Sequence, residues 1–247
     1  MGSSAPPPDL TSRLLRHERL IVIAGVALLA LLSWWYIAAG AGMRGMMATT
    51  MQAPPLGALI LMWWLMMVAM MLPSATPAIL LYARVRQSRG GASAIAQSSV
   101  FLAGYLLVWL LFSILAAFAQ RLLAGPSMTL GNRWTESALL IAAGVYELTP
   151  LKSGCLTRCR SPAEFLTRHW RPGWSGAMRL GVLHGADCLG CCWMLMALLF
   201  VGGVMNLMWV VALTLIVAVE KLLPRGDWFS RAAGVALIAW GVLRIAT

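Results

Sequence analysis

Nine consecutive residues, His184 to Cys192 in the string HGADCLGCC, hold three of the five cysteines, one of the three histidines and one of the eight acids of the chain. On an α-helix each residue advances by about 100°. His184, Asp187, Cys188 and Cys191 then share an arc of roughly 100°, and Cys192 stands at its edge. Thiolate and imidazole are soft donors that select Cu(I), zinc or iron–sulfur chemistry. The surrounding run is apolar enough to cross a bilayer, where ionisable side chains read as functional unless paired. Taken singly, each position has a bland explanation: cysteine often packs as a small apolar residue, and a lone histidine can be satisfied by a neighbouring helix. A shared face with His-x-x-x-Cys and Cys-x-x-Cys spacing favours a soft-metal site instead.

Further donors lie on either side. Upstream, Glu147 sits at the end of an apolar stretch and is followed by Lys152, Cys155 and Cys159. Glu147 can be an interfacial carboxylate paired with Lys152, or a ligand or proton relay, and both readings stay open. Cys155 and Cys159 are spaced i, i+4, a helical spacing that can hold one ion, although Arg158 and Arg160 beside them also serve orientation. Nearer the N-terminus, Met43, Met46, Met47 and Met51 precede a run that continues with Met62, Met66, Met67, Met70 and Met71. Met62, Met66 and Met70 fall on one helical face, and the set Met43, Met46, Met47, Met51, Met62, Met66 and Met70 forms a candidate thioether path. Methionine is equally a filler of irregular apolar packing.

The elements that must position these donors follow from composition. The chain has 247 residues, 60% hydrophobic and 11% charged, with a net charge of +11. Such an apolar share implies an integral membrane protein rather than a soluble domain. The positive charge then reads as topology, not as nucleic-acid binding. The expected fold is all-α, a polytopic helical membrane protein with about seven transmembrane helices near 20–39, 57–82, 95–120, 135–151, 177–203, 207–223 and 230–246. Placing the N-terminus inside puts fifteen of the 19 Lys and Arg on the cytoplasmic side, a positive-inside asymmetry that supports N-in, C-out. Residues 1–19 are expected as a disordered cytoplasmic tail, and 20–247 as a single helical transmembrane domain. The start is polar and Pro-rich, and the first apolar run is long enough to span, so it is expected to stay as an anchor.

Within that frame, Pro73 and Pro77 should kink or break the second span, because each removes a backbone donor. The third span, with Tyr105 and Trp109, offers packing and no chemistry. Glu220, Lys221 and Asp227 should form a solvated inner boundary. The fifth span enters near Ala177, so at about 1.5 Å per residue His184 lies roughly 10 Å deep and Cys191 roughly 20 Å. The fourth span runs the opposite way and brings Glu147, Cys155 and Cys159 to the same inner side.

The strings MLPSATP, YELTPLK with CLTRCRSP after it, and HGADCLGCCW resemble the prokaryotic family described as predicted metal-binding integral membrane proteins. The resemblance covers about residues 57–245, and the cysteine-rich string is its most specific part. It implies metal binding by Cys155, Cys159, His184, Cys188, Cys191 and Cys192, and implies no reaction.

The function these features favour is the handling of a soft metal, with copper first and zinc or iron as alternatives, for transport or for delivery to a partner. A metal-dependent membrane oxygenase or oxidase is the enzymatic alternative, and thiol–disulfide electron transfer the third. Few histidines stand against oxygen chemistry, where imidazole usually dominates, so binding and transfer are favoured over catalysis. No GxxxxGK[ST] string is present, which argues against nucleotide use. The expected partners are the lipid bilayer and a protein partner or second copy, with no nucleic acid and no nucleotide. The expected location is the bacterial inner membrane.

Overall fold

The computed structural model describes residues 10–40, 54–88, 94–123, 131–204, 206–223 and 226–246. Among them every regular element is a helix: α1 (Leu10–Ala38), α2 (Leu56–Ser88), α3 (Ala94–Leu123), α4 (Arg133–Glu147), α5 (Pro150–Arg160), α6 (Pro162–His169), α7 (Gly173–Ala197), α8 (Leu199–Gly202), α9 (Leu207–Leu222) and α10 (Gly226–Ala246). α1, α2, α3 and α7 pack in series, α4 pairs with α10, and α5 lies along α7. α9 touches α2, α5, α7 and α10, and α4 also packs on α5 and α7, so both join the two groups of helices.

Five helical stretches are long and apolar enough to cross a membrane: Leu20–Ala38, Leu56–Gln87, Ile95–Leu123, Gly173–Gly202 and Gly226–Ala246. The expected count of seven is therefore not met among the described residues, although helices stand at all seven expected stretches. The shortfall is one of length. α4 has 15 residues and α9 has 16, about 22 and 24 Å of helix against a hydrocarbon core of about 30 Å. α4 ends because the chain turns at Leu148–Thr149 and restarts with Pro150 in the first turn of α5, where its missing N–H is no loss. Thr149 serves both helices: its hydroxyl donates to the Tyr146 carbonyl at 2.7 Å and accepts from the Lys152 N–H at 3.3 Å. At the other end of the chain, α1 reaches back to Leu10, into the stretch expected as a tail.

The distribution of polarity is inverted relative to a soluble protein. Lys152, Glu147, Glu220 and His184 are all buried, whereas Leu28, Leu31 and Trp35 on α1 and Leu111 and Leu115 on α3 are more than half exposed. Charged residues are almost never fully buried unless paired, and apolar helix faces turned outward suit a hydrocarbon surrounding.

The two prolines do not interrupt α2, which is helical from Leu56 to Ser88. Pro73 cannot donate to the carbonyl four residues earlier, and that carbonyl, on Ala69, accepts instead from the Trp34 indole N–H at 3.1 Å. A neighbouring helix thus satisfies the acceptor that the proline frees, as intramembrane backbone requires.

Close approach between α3 and α7 depends on glycine. A Cβ on Gly181 would fall onto the Phe101 carbonyl, and one on Gly104 would lie 2.6 Å from the Met178 carbonyl. Small residues at helix interfaces let backbones approach in this way, and the result brings the cysteine face of α7 against Tyr105 of α3.

Candidate metal site

The centre of the site is a cation among sulfur atoms. The Lys221 ammonium, from the last turn of α9, donates to Cys188 Sγ at 2.9 Å and lies 3.9 Å from both Cys192 Sγ and Met71 Sδ. Cys192 Sγ and Met71 Sδ are 3.7 Å apart. Helix geometry explains the α7 contribution, since Cys188 and Cys192 are one turn apart. Cys192 Sγ also donates to the Cys188 carbonyl at 2.9 Å and Cys191 Sγ to the same carbonyl at 3.1 Å, so the free thiols have internal partners. The Tyr105 hydroxyl completes the shell, 3.1 Å from Cys188 Sγ and donating to the Met71 carbonyl at 3.2 Å.

A second sulfur pair adjoins the first. Cys191 Sγ lies 3.9 Å from Cys159 Sγ of α5. Cys155, one turn earlier, packs where Gly190 leaves room: a Cβ there would be 2.8 Å from Cys155 Sγ. Arg158 donates to Cys155 Sγ at 3.3 Å. Burial pushes the Cys155 thiol above its ordinary pKa, against the pull of Arg158, so at neutral pH it stays a protonated thiol. All five cysteines are free.

His184 is buried one turn before Cys188, with its ring among Phe101, Tyr105 and Phe165 at centroid distances of 6.0, 5.8 and 5.4 Å. Its Nδ1 is buried without a hydrogen-bond partner, which is costly for a polar atom and leaves one nitrogen donor available beside the thiols.

The two acids of the sequence-derived set are engaged elsewhere. Asp187 accepts from Arg158 Nε at 2.6 Å. Glu147 forms the expected ion pair with Lys152, but both side chains are buried rather than interfacial. Lys152 also pairs with Glu220 at 2.9 Å, and the Ser230 hydroxyl donates to Glu147 Oε2 at 2.7 Å. Glu147, Lys152 and Glu220 are almost completely buried. A cavity of about 230 Å³ lined by Glu147, Thr149, Ser230 and Arg231 opens beside them.

Of the methionines, Met62, Met66 and Met70 are buried in the helical core. Met43, Met46, Met47 and Met51 lie outside the described residues. The thioether that does reach the cysteines is Met71, next to the expected stripe and off its face.

Three participants were not anticipated. Of the three residues expected in a solvated boundary, Asp227 is exposed, Glu220 is buried and Lys221 is half-buried against the cysteines. Tyr105 shows that the third span contributes more than packing. The signal for Lys221 was present in its position: it follows an apolar run by one residue, so a helix continued through it buries Glu220 and carries the half-buried Lys221 to the cysteines. Among the described residues no three of His, Cys, Asp and Glu converge on a point that could hold an ion. Met71, Cys188 and Cys192 instead gather around the Lys221 ammonium.

The donors gathered here are mainly sulfur, which suits a soft metal. A family model described as PpoB2, copper chaperone, matches residues 60–244. The chain belongs to this copper chaperone family. The matched region runs from α2 into α10 and contains every cysteine, His184, Met71 and Lys221, while Met43 to Met51 fall before it. No curated protein and no solved structure matches the chain. A metal-related family is what the sequence resemblance implied, and copper is the metal the family's description names.

Proposed function

We propose that this chain is a membrane-embedded chaperone that receives Cu(I) as cargo on Cys188, Cys192 and Met71 and hands it to a protein partner. The observation that carries the reading is the cation among three sulfurs: a site that accommodates the Lys221 ammonium beside two thiols and a thioether presents soft donors to a positive charge. Thiolate and thioether ligands select Cu(I). His184, Cys191 and Cys159 extend the donor set, the last two forming a neighbouring pair through which cargo leaves toward α5. Thiols must lose their protons to bind metal, so each ligating cysteine releases one proton on loading.

The same reading places the chain in the bacterial inner membrane with its N-terminus inside and its C-terminus outside. The five long apolar helices and the outward-facing leucines support the membrane, and the distribution of Lys and Arg supports the orientation when α4 and α9 are counted as crossing as well. A reporter fused after Thr247 is expected outside on either count of crossings, and one inserted near Arg168 separates them: inside if α4 and α9 also cross, outside if only the five long helices do.

Detergent-purified full chain, loaded with Cu(I) under reducing conditions and freed of excess metal, tests the site. Cys188→Ala combined with Cys192→Ala should lose most bound copper, and Cys155→Ala should retain it. Equal stoichiometry in wild type and the double variant would sink the assignment.

A further inference from the structure

The position of Lys221 has a consequence for which ions the site accepts. Its ammonium lies 2.9 Å from one proposed ligand atom and 3.9 Å from two others. Any metal bound to those atoms must sit within a few ångströms of a fixed positive charge, whether the lysine stays in place or withdraws by a rotamer step. We propose that Lys221 makes the sulfur site selective for monovalent over divalent soft cations. This rests on the copper(I) reading of the site.

Coulomb repulsion scales with the charge of the incoming ion, so a divalent ion feels twice the repulsion of a monovalent one from the same ammonium. Both ions displace the same protons from Cys188 and Cys192: one cation plus two thiols gives a bis-thiolate complex and two protons released to the buffer. Proton release therefore cancels from the comparison. With Lys221 present, two thiolates and a monovalent ion form a locally neutral group, whereas a divalent ion leaves one positive charge in a poorly solvated site.

Other charges nearby do not replace this effect. Asp187 is held by Arg158. Glu147 and Glu220 flank Lys152, and their excess negative charge favours divalent ions, but it is the same whatever residue occupies position 221. Substituting Lys221 isolates its own share.

The experiment is competition between Ag(I) and Cd(II) for the purified full chain at fixed pH and salt, with both bound metals measured by elemental analysis. Relative to wild type, Lys221→Gln and Lys221→Leu should shift the bound ratio toward Cd(II) by about tenfold or more, the scale set by one unit charge near a partly desolvated site. Lys221→Arg should hold the wild-type ratio. An unchanged ratio in whichever neutral variant elutes as folded protein would overturn the proposal, as would an Arg variant that behaves like the neutral ones. Wild-type protein that takes up neither ion would instead overturn the copper(I) reading itself.

Discussion

Lys152 and Lys221 both lie inside the helical assembly, yet one faces oxygen and the other sulfur. Lys152 sits between Glu147 and Glu220, and Lys221 faces Cys188, Cys192 and Met71. Glu220 and Lys221 are consecutive on α9, so a single turn of one short helix supplies an anion to the first group and a cation to the second. The carboxylates around Lys152 have permanent need of a counter-charge. The thiols around Lys221 need one only when their protons leave. The first lysine is thus part of the framework, while the second occupies a place that a cargo cation can share.

The sharpest way to break this contrast is to remove each lysine. Lys152→Met leaves two buried carboxylates without their cation, and breaking a buried ion pair from one side costs about 3–5 kcal/mol. We expect a large fall in the thermal midpoint of the detergent-solubilised protein, or failure to recover it. Lys221→Gln should cost distinctly less, because a glutamine amide can still donate to Cys188 Sγ and Cys192 keeps the Cys188 carbonyl as acceptor. Comparable losses in the two variants would erase the distinction between framework and cargo site.

Next in size is the packing that holds the sulfur group to α3. Gly181→Val places side-chain atoms against the Phe101 carbonyl, and overpacking of this kind costs about 1–3 kcal/mol. The strain should push α3 from α7, separate Tyr105 from Cys188, and lower copper stoichiometry along with the melting temperature. A Gly181→Val protein that melts and loads as wild type would mean that the α3–α7 contact does not position the site.

A smaller effect is expected at Asp187. Its partner Arg158 is half exposed, at 53% of the side chain, and solvent-exposed ion pairs are worth about 0–1 kcal/mol. Asp187→Asn should change stability little and copper stoichiometry not at all. Loss of bound copper in this variant would return Asp187 to the ligand set and shift the site toward α5.

How much of this arrangement could be read from the sequence depends on the range of the signal. The cysteine face of α7 was legible because helical periodicity alone places Cys188 and Cys192 together. The helical class and the apolar character of the long helices were legible from composition. What was not legible depended on partners distant in the chain. Met71 meets Cys192 across 121 positions, and no local pattern distinguishes it from Met70. Lys221 was assigned to a boundary because basic residues at the ends of apolar runs usually orient a chain, and nothing local announces sulfur acceptors 29 and 33 residues earlier. Of the kink or break expected at Pro73 and Pro77, the helix shows no break, and the partner that takes up the carbonyl freed by Pro73 is again distant: Trp34, 35 positions from Ala69.

The smallest effect belongs to the methionine stripe, and it separates packing from ligation within one helix. Met62, Met66 and Met70 are buried at 2%, 1% and 2% exposure, where their volume matters more than their lone pairs. Leucine is close in volume, and such exchanges usually cost under about 1.5 kcal/mol each. The triple variant Met62→Leu, Met66→Leu, Met70→Leu should therefore fold and bind the wild-type amount of copper. Met71→Leu changes volume equally little but removes the sulfur 3.7 Å from Cys192. It should keep stability and weaken copper retention against a competing chelator, because one soft donor of three is gone. Chelator titration of the two variants side by side distinguishes the roles. Retention lost in the triple variant and kept in Met71→Leu would move the thioether function from the cysteine site back to the stripe.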